Sequence, residues 1–133
     1  MTPDTSAIVA AFSPWHPQHG PAREALRDVR DLVAHAELEA YSVLTRLPAP
    51  FRAEPAIAAE YLRRRFPGAR IVLSAAQRKS LVSRLAAAGV AGGKAYDALI
   101  GATAREAGRE LVTCDRRAIA VYERVGARFL LIA

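Results

Sequence analysis

Residues 92–118 read GGKAYDALIGATAREAGRELVTCDRRA, and the spacing of their apolar positions changes within the stretch. Ala, Leu and Ile at helical spacing predict a helix over 94–108, on which Asp97 shares a face with Ile100, Gly101 and Ala104. Gly108 closes that helix, and Leu-Val-Thr-Cys reads as a short strand over 110–114 that ends at Asp115. A further helix over about 116–125, Gly126 and a strand in Ala-Arg-Phe-Leu-Leu-Ile complete the chain. The face that carries Asp97 is a core-facing stripe. A lone carboxylate there has to be compensated, because burying an unpaired charge costs several kcal/mol or forces protonation.

The same alternation runs back towards the N-terminus. Asp4-Thr5-Ser6 heads an apolar run that ends in the Pro- and His-rich loop SPWHPQHGP, and Pro21 suits the first turn of a helix over roughly 21–30. Residues 31–35 read as a short strand. ELEAYSVLTRL is a helix stopped by Pro48 and Pro50, and EPAIAAEYLRRRF is another, ended by Pro67-Gly68. Ile71-Val-Leu is a strand, and Ser74 caps a helix over 75–88 that Gly89 terminates. Strands alternating with helices in this way predict an α/β fold: one domain over residues 1–133, with a parallel sheet covered by helices on both faces. Pro3 cannot donate to a ladder, so either the first strand is curtailed or the natural start lies upstream.

Composition narrows the partners. The chain is 52% hydrophobic and can bury a real core, and its 19 Lys and Arg exceed its 13 Asp and Glu by six. A pI near 10.2 points to a polyanion. Cys114 is the single cysteine, which excludes a disulfide framework or a thiolate zinc site and suits a reducing cytoplasm. No apolar run has the length of a membrane span and no secretory leader opens the chain, so a soluble cytoplasmic protein is expected.

In open α/β sheets, ligands bind outside the carboxyl ends of the strands. Asp115 lies there by position, Asp4 heads the first apolar run, Glu39 follows the strand 31–35 by one turn of helix, and Asp97 faces inward. Carboxylates gathered at one crevice would repel by roughly 4 kcal/mol for each pair about 4 Å apart at an effective dielectric near 20. A divalent cation relieves that conflict. Hard oxygen ligands favour Mg²⁺ or Mn²⁺, which keep several waters and bind substrate phosphates.

The acids Asp4, Glu39, Asp97 and Asp115, set in D-T-S, E-A-Y-S-V-L-T-R-L, Y-D-A-L-I-G-A-T-A and L-V-T-C-D, resemble those of PIN-domain ribonucleases of the VapC toxin group. The resemblance spans nearly the whole chain. It implies a three-layer α/β/α fold, Mg²⁺- or Mn²⁺-dependent endonucleolytic cleavage of RNA (tRNA or rRNA) that inhibits translation, 5′-phosphate and 3′-hydroxyl products, a homodimer, and a VapB-type antitoxin that blocks the site. It also implies that the four acids are catalytic metal ligands, with Thr5, Ser6 and Thr113 as supporting hydroxyls. Glu37 and Glu39 both border the apolar side of their helix, and the choice of Glu39 rests on its family-like following residues.

Each acid also has a purely structural reading. Asp4 and Asp115 suit helix N-caps, Glu39 suits a first-turn acid, and Asp97 has Lys94 three residues before it. His16 and His19 are expected to be solvated, and His35 to be a satisfied polar group at a strand end. Arg63, Arg64 and Arg65 read as a solvated face, whereas Arg116 and Arg117 follow Asp115 directly and are candidates for RNA phosphate contacts. Core packing is the expectation for Phe12, Trp15, Tyr41 and Tyr61. Two rival functions remain: an Asp-dependent phosphatase, although Ser6 stands where its second aspartate belongs, and a non-catalytic RNA-binding module of the same fold. Neither GxGxxG nor GxxxxGK[ST] occurs, which disfavours nucleotide-binding enzymes.

Overall fold

The computed structural model describes all of residues 1–133. The order is β1 (Thr2–Pro3), α1 (Thr5–Phe12), α2 (His19–Ala25), β2 (Leu32–Val33), α3 (Ala34–Arg46), α4 (Pro55–Arg65), β3 (Arg70–Ile71), α5 (Ala75–Ala87), α6 (Lys94–Glu106), β4 (Leu111–Thr113), a 3-10 turn at Arg116–Ala118, α7 (Ile119–Val125) and β5 (Phe129–Leu131). All pairings are parallel. α1 to α4 pack as one group of helices and α5 to α7 as another, with α3 also touching α6. A three-layer α/β/α domain results.

The sheet is divided where Pro3 stands. β1, β4 and β5 form one ladder with Thr2 opposite Leu111 and Leu111 opposite Phe129, while β2 and β3 form another. Thr2 and Asp4 donate their N–H groups to the carbonyls of Glu110 and Val112, both at 2.9 Å. Alternate strand residues turn to opposite neighbours, so Pro3 faces β2 with no N–H to give. The Thr2 hydroxyl bridges that gap instead, donating to the Asp31 carbonyl at 3.0 Å. The first strand is thus curtailed to two residues.

Several expected boundaries move for identifiable reasons. α2 is shorter than 21–30 because the chain turns after Leu26, whose carbonyl accepts from the Val29 N–H, and Arg65 donates to the carbonyls of Leu26 and Val29. Arg65 also lies over the Phe66 ring at 4.7 Å, so it is an internal brace rather than part of a solvated face; Arg63 and Arg64 are exposed and pair with Glu60. The strand expected at 31–35 is only Leu32–Val33, since α3 begins at Ala34; His35 is therefore a helical residue. At α5, Ser74 and Gln77 make a reciprocal capping box.

Gly101 controls how α6 meets α7. A Cβ at this position would lie 2.8 Å from Val125 Cγ2 and 3.1 Å from Tyr122 Cδ1, both on α7. The missing side chain lets the helices close until Tyr122 is fully buried. Gly101→Ala gains up to about 1 kcal/mol of helix propensity but overpacks the contact by roughly 1–3 kcal/mol. A lowered melting temperature is expected, recovered when Val125→Ala is added, and calorimetry of the single and double variants measures it. A single variant as stable as the wild type would contradict this packing.

Candidate active site

Four elements place their acids around one cleft of about 340 Å³ at the carboxyl ends of β1 and β4. Asp4 directly follows β1, Asp115 lies two residues beyond β4, Glu39 comes from α3 and Asp97 from the first turn of α6. Thr5, Ser6, His16, Cys114 and Arg117 share the lining. The acids, read as separate features of the sequence, therefore meet.

Asp4 is the deepest of them, only 3% exposed. It caps α1 by accepting from the Ala7 N–H at 3.1 Å through Oδ1, which also accepts from Ser6 Oγ at 2.6 Å. Its Oδ2 accepts from the Tyr122 hydroxyl at 2.6 Å. Burial raises the pKa of Asp4, and these donors oppose the rise by favouring the anion. Tyr122 in turn is raised well above an ordinary phenol, first by burial and then by the charge of Asp4, so it stays a donor. The N-cap and cleft readings of Asp4 both hold.

Ser6 joins the two strand ends. Its Oγ donates to Asp4, accepts from the Cys114 N–H at 2.8 Å and lies 3.3 Å from Thr113 Oγ1. Thr113 Oγ1 accepts from the Asp115 N–H at 3.0 Å, and Thr5 Oγ1 donates to Glu39 Oε1 at 2.7 Å. Each of the three hydroxyls is thus bonded to an acid or to the backbone that carries one. Cys114 lies just past the strand, where burial and then Asp4 push its thiol up to about 11, away from the reactive thiolate form.

Glu39 and Glu37 separate cleanly. Glu37 accepts from Arg70 at 2.6 Å, away from the cleft, whereas Glu39 lines it. His35 Nε2 lies 3.4 Å from Glu39 Oε2 without hydrogen-bond geometry and its ring stacks on Tyr96 at 5.4 Å. The expected satisfied polar group is therefore an aromatic contact beside the acid. Asp115 Oδ1 caps the 3-10 turn through the Arg117 N–H at 2.9 Å and meets Arg117 Nε at 3.3 Å. Arg117 is 92% exposed at the rim. Arg116 is exposed too, but it does not line the cleft.

Asp97 makes no ion pair with Lys94 or any other cation. Its pKa rises to about 6, chiefly through burial and then through the charges of Glu39, Asp4 and Asp115. No three carboxylate, imidazole or thiol groups close into a ready-made metal ligand set. The expected tetrad is therefore an open acid-lined cleft rather than a cage. Both Asp4 oxygens are already engaged by donors. The donor set nonetheless fits a hard divalent cation of the Mg²⁺ kind, which binds through one or two carboxylates and keeps waters.

Two residues of the site escaped the sequence reading: Tyr122, fully buried behind Asp4, and His16, which lines the cleft. Tyr122 carried a signal, since a tyrosine inside an apolar helix needs a partner for its hydroxyl. His16 did not, because loop geometry decides where it points; burial and His19 lower its pKa. His19 is not a freely solvated ring either, as its Nδ1 bonds to the Ala10 carbonyl at 2.9 Å.

The raised Asp97 has a stability consequence. Its native form holds a proton that the unfolded chain gives up at an ordinary carboxylate pKa, so stability falls as pH rises from about 4 to about 6. Asp97→Asn removes that penalty. In chelator at pH 7 the variant is expected to be more stable by roughly 1–2 kcal/mol, discounted for the half-open site, and the gain should vanish towards pH 4. Thermal melts across this range check it; a gain independent of pH would contradict carboxylate repulsion.

The sequence matches the PIN domain family over residues 1–124. It is 43% identical over 132 residues to Ribonuclease VapC40 of Mycobacterium tuberculosis, strains CDC 1551 / Oshkosh and H37Rv, spanning 99% of this chain and 98% of that protein. Ribonuclease VapC27 of strain H37Rv is 39% identical over 132 residues, 98% of this chain and 95% of its own.

Proposed function

This chain belongs to the PIN domain family, and from that premise we propose that it is a VapC-type endoribonuclease that hydrolyses RNA phosphodiesters with Mg²⁺ or Mn²⁺ at Asp4, Glu39, Asp97 and Asp115. The observation that carries the reading is the meeting of these four acids in one strand-end cleft, with Asp97 raised first by burial and then by the charges of the other three. By the same kinship the chain acts as a toxin, with tRNA or rRNA as target, a small VapB-type antitoxin as its partner and a homodimer as its assembly. No helix is long and apolar enough to cross a membrane.

When bound, the cation supplies charge neutralisation at the phosphate and acidification of the attacking water. The remaining work is done by side chains of this chain. Ser6, Tyr122 and the Ala7 N–H hold Asp4 in place and favour its anionic form against the effect of burial. Thr5 aims Glu39, and Thr113 sets the turn that presents Asp115. Asp115 restrains the guanidinium of Arg117 at the rim, where it can meet a backbone phosphate. Water adds to phosphorus, the P–O3′ bond breaks, and the departing oxygen takes a proton to leave 3′-hydroxyl and 5′-phosphate ends.

The phosphatase reading loses support. Such an enzyme uses its first aspartate as a nucleophile, whereas both oxygens of Asp4 are held by donors and Ser6 fills the place of the second acid. The non-catalytic module has no observation in its favour, since all four acids line the cleft.

The test is cleavage of cellular RNA by the purified protein with Mg²⁺ or Mn²⁺. Asp97→Asn and Asp115→Asn should each lose on the order of a hundredfold or more in rate, the scale at which one charge-stabilising group acts, while remaining folded. Undiminished cleavage by either folded variant, or cleavage insensitive to chelator, would sink the reading.

A further inference from the structure

We propose that Trp15, with Phe51 beside it, is a stacking platform for an unpaired base of the RNA strand whose phosphodiester enters the acidic cleft. This deepens the nuclease reading and rests on it. Core packing was the expectation for Trp15, yet it is 45% exposed, and Phe51 is 46% exposed. Their ring centroids lie 4.7 Å apart at 43°. On the other side the Trp15 ring is 5.9 Å from that of His16, which lines the cleft with Asp97 and Asp115. A row of three rings therefore leads from solvent to the acids.

The loops that carry these rings are braced. His16 N–H donates to the Ser13 carbonyl at 2.9 Å and His19 N–H to the His16 carbonyl at 3.0 Å, while His16 Nδ1 accepts from the Gln18 N–H at 3.0 Å. Phe51 N–H donates to the Pro48 carbonyl and Ala53 N–H to the Leu44 carbonyl, both at 2.9 Å. Two exposed rings are thus held in place without a core around them, so little ordering is left for a ligand to impose. Base–aromatic stacking contributes roughly 1–3 kcal/mol per base and tolerates any sequence, because every base has a π-face. The occupant is a nucleobase rather than an apolar peptide because the row continues into the cleft proposed to hold the same strand's backbone.

Trp15 is the only tryptophan, so its emission reports the platform alone. In chelator, which keeps the strand intact, a single-stranded oligoadenylate should quench that emission saturably, and inorganic polyphosphate of similar charge should not. Phe51→Leu should weaken oligoadenylate binding, and Trp15→Leu should weaken it by about tenfold, both followed by anisotropy of a labelled strand. Equal quenching by polyphosphate, binding without quenching, or no binding would overturn the proposal. So would a Trp15→Leu protein that melts earlier but binds with unchanged affinity, the result expected of a loop clamp or of a surface reserved for a protein partner. Failure of the nuclease reading is separately visible as a strand left uncut when Mn²⁺ is supplied, with quenching intact.

Discussion

A carboxylate buried at the end of the first strand organises this molecule. Asp4 is almost inaccessible to water, which raises its pKa, and donors from three directions converge on it to favour the anion: the Ala7 N–H of its own helix, Ser6, and Tyr122 from the far end of the chain. Their arrival requires the fold. Ser6 is held against the backbone that follows β4, and Tyr122 reaches the acid because Gly101 lets α6 and α7 close. Packing, capping and electrostatics are thus coupled at one side chain.

The other acids are more exposed than Asp4 and less constrained. Glu39 accepts from Thr5, Asp115 accepts from the N–H and the Nε of Arg117, and Asp97 makes no ion pair. The chain as a whole carries an excess of six positive charges, which attracts a polyanion, whereas the acid-lined cleft would repel it without a counter-charge. That opposition is what a divalent cation would relieve, and it places the electrostatic weight of the proposed reaction on Asp97.

Much of this was legible in the sequence, and what was not has identifiable causes. Asp97 announced itself because α6 is long and periodic, and its neighbours Ile100, Gly101 and Ala104 are buried as the spacing required. Asp4 and Asp115 are caps as well as cleft residues, so a local signal pointed correctly but incompletely. Glu37 and Glu39 could not be separated by period alone; Arg70 and Thr5, distant in sequence, separate them. The expected strands were too long because β2 and β3 contain two residues each: β2 runs directly into α3, and β3 gives way to Val72 and Leu73, which lead to the Ser74 cap of α5. The exposure of Trp15 and the cleft position of His16 depend on turns that no periodicity encodes.

Direct measurement of cation uptake tests most closely the claim that these four acids form one divalent site. Mn²⁺ titration by calorimetry should show binding by the wild type and by Glu37→Gln, whose glutamate faces Arg70 outside the cleft. Asp97→Asn and Glu39→Gln should bind markedly more weakly. Equal Mn²⁺ affinity in all four proteins would contradict the site as described.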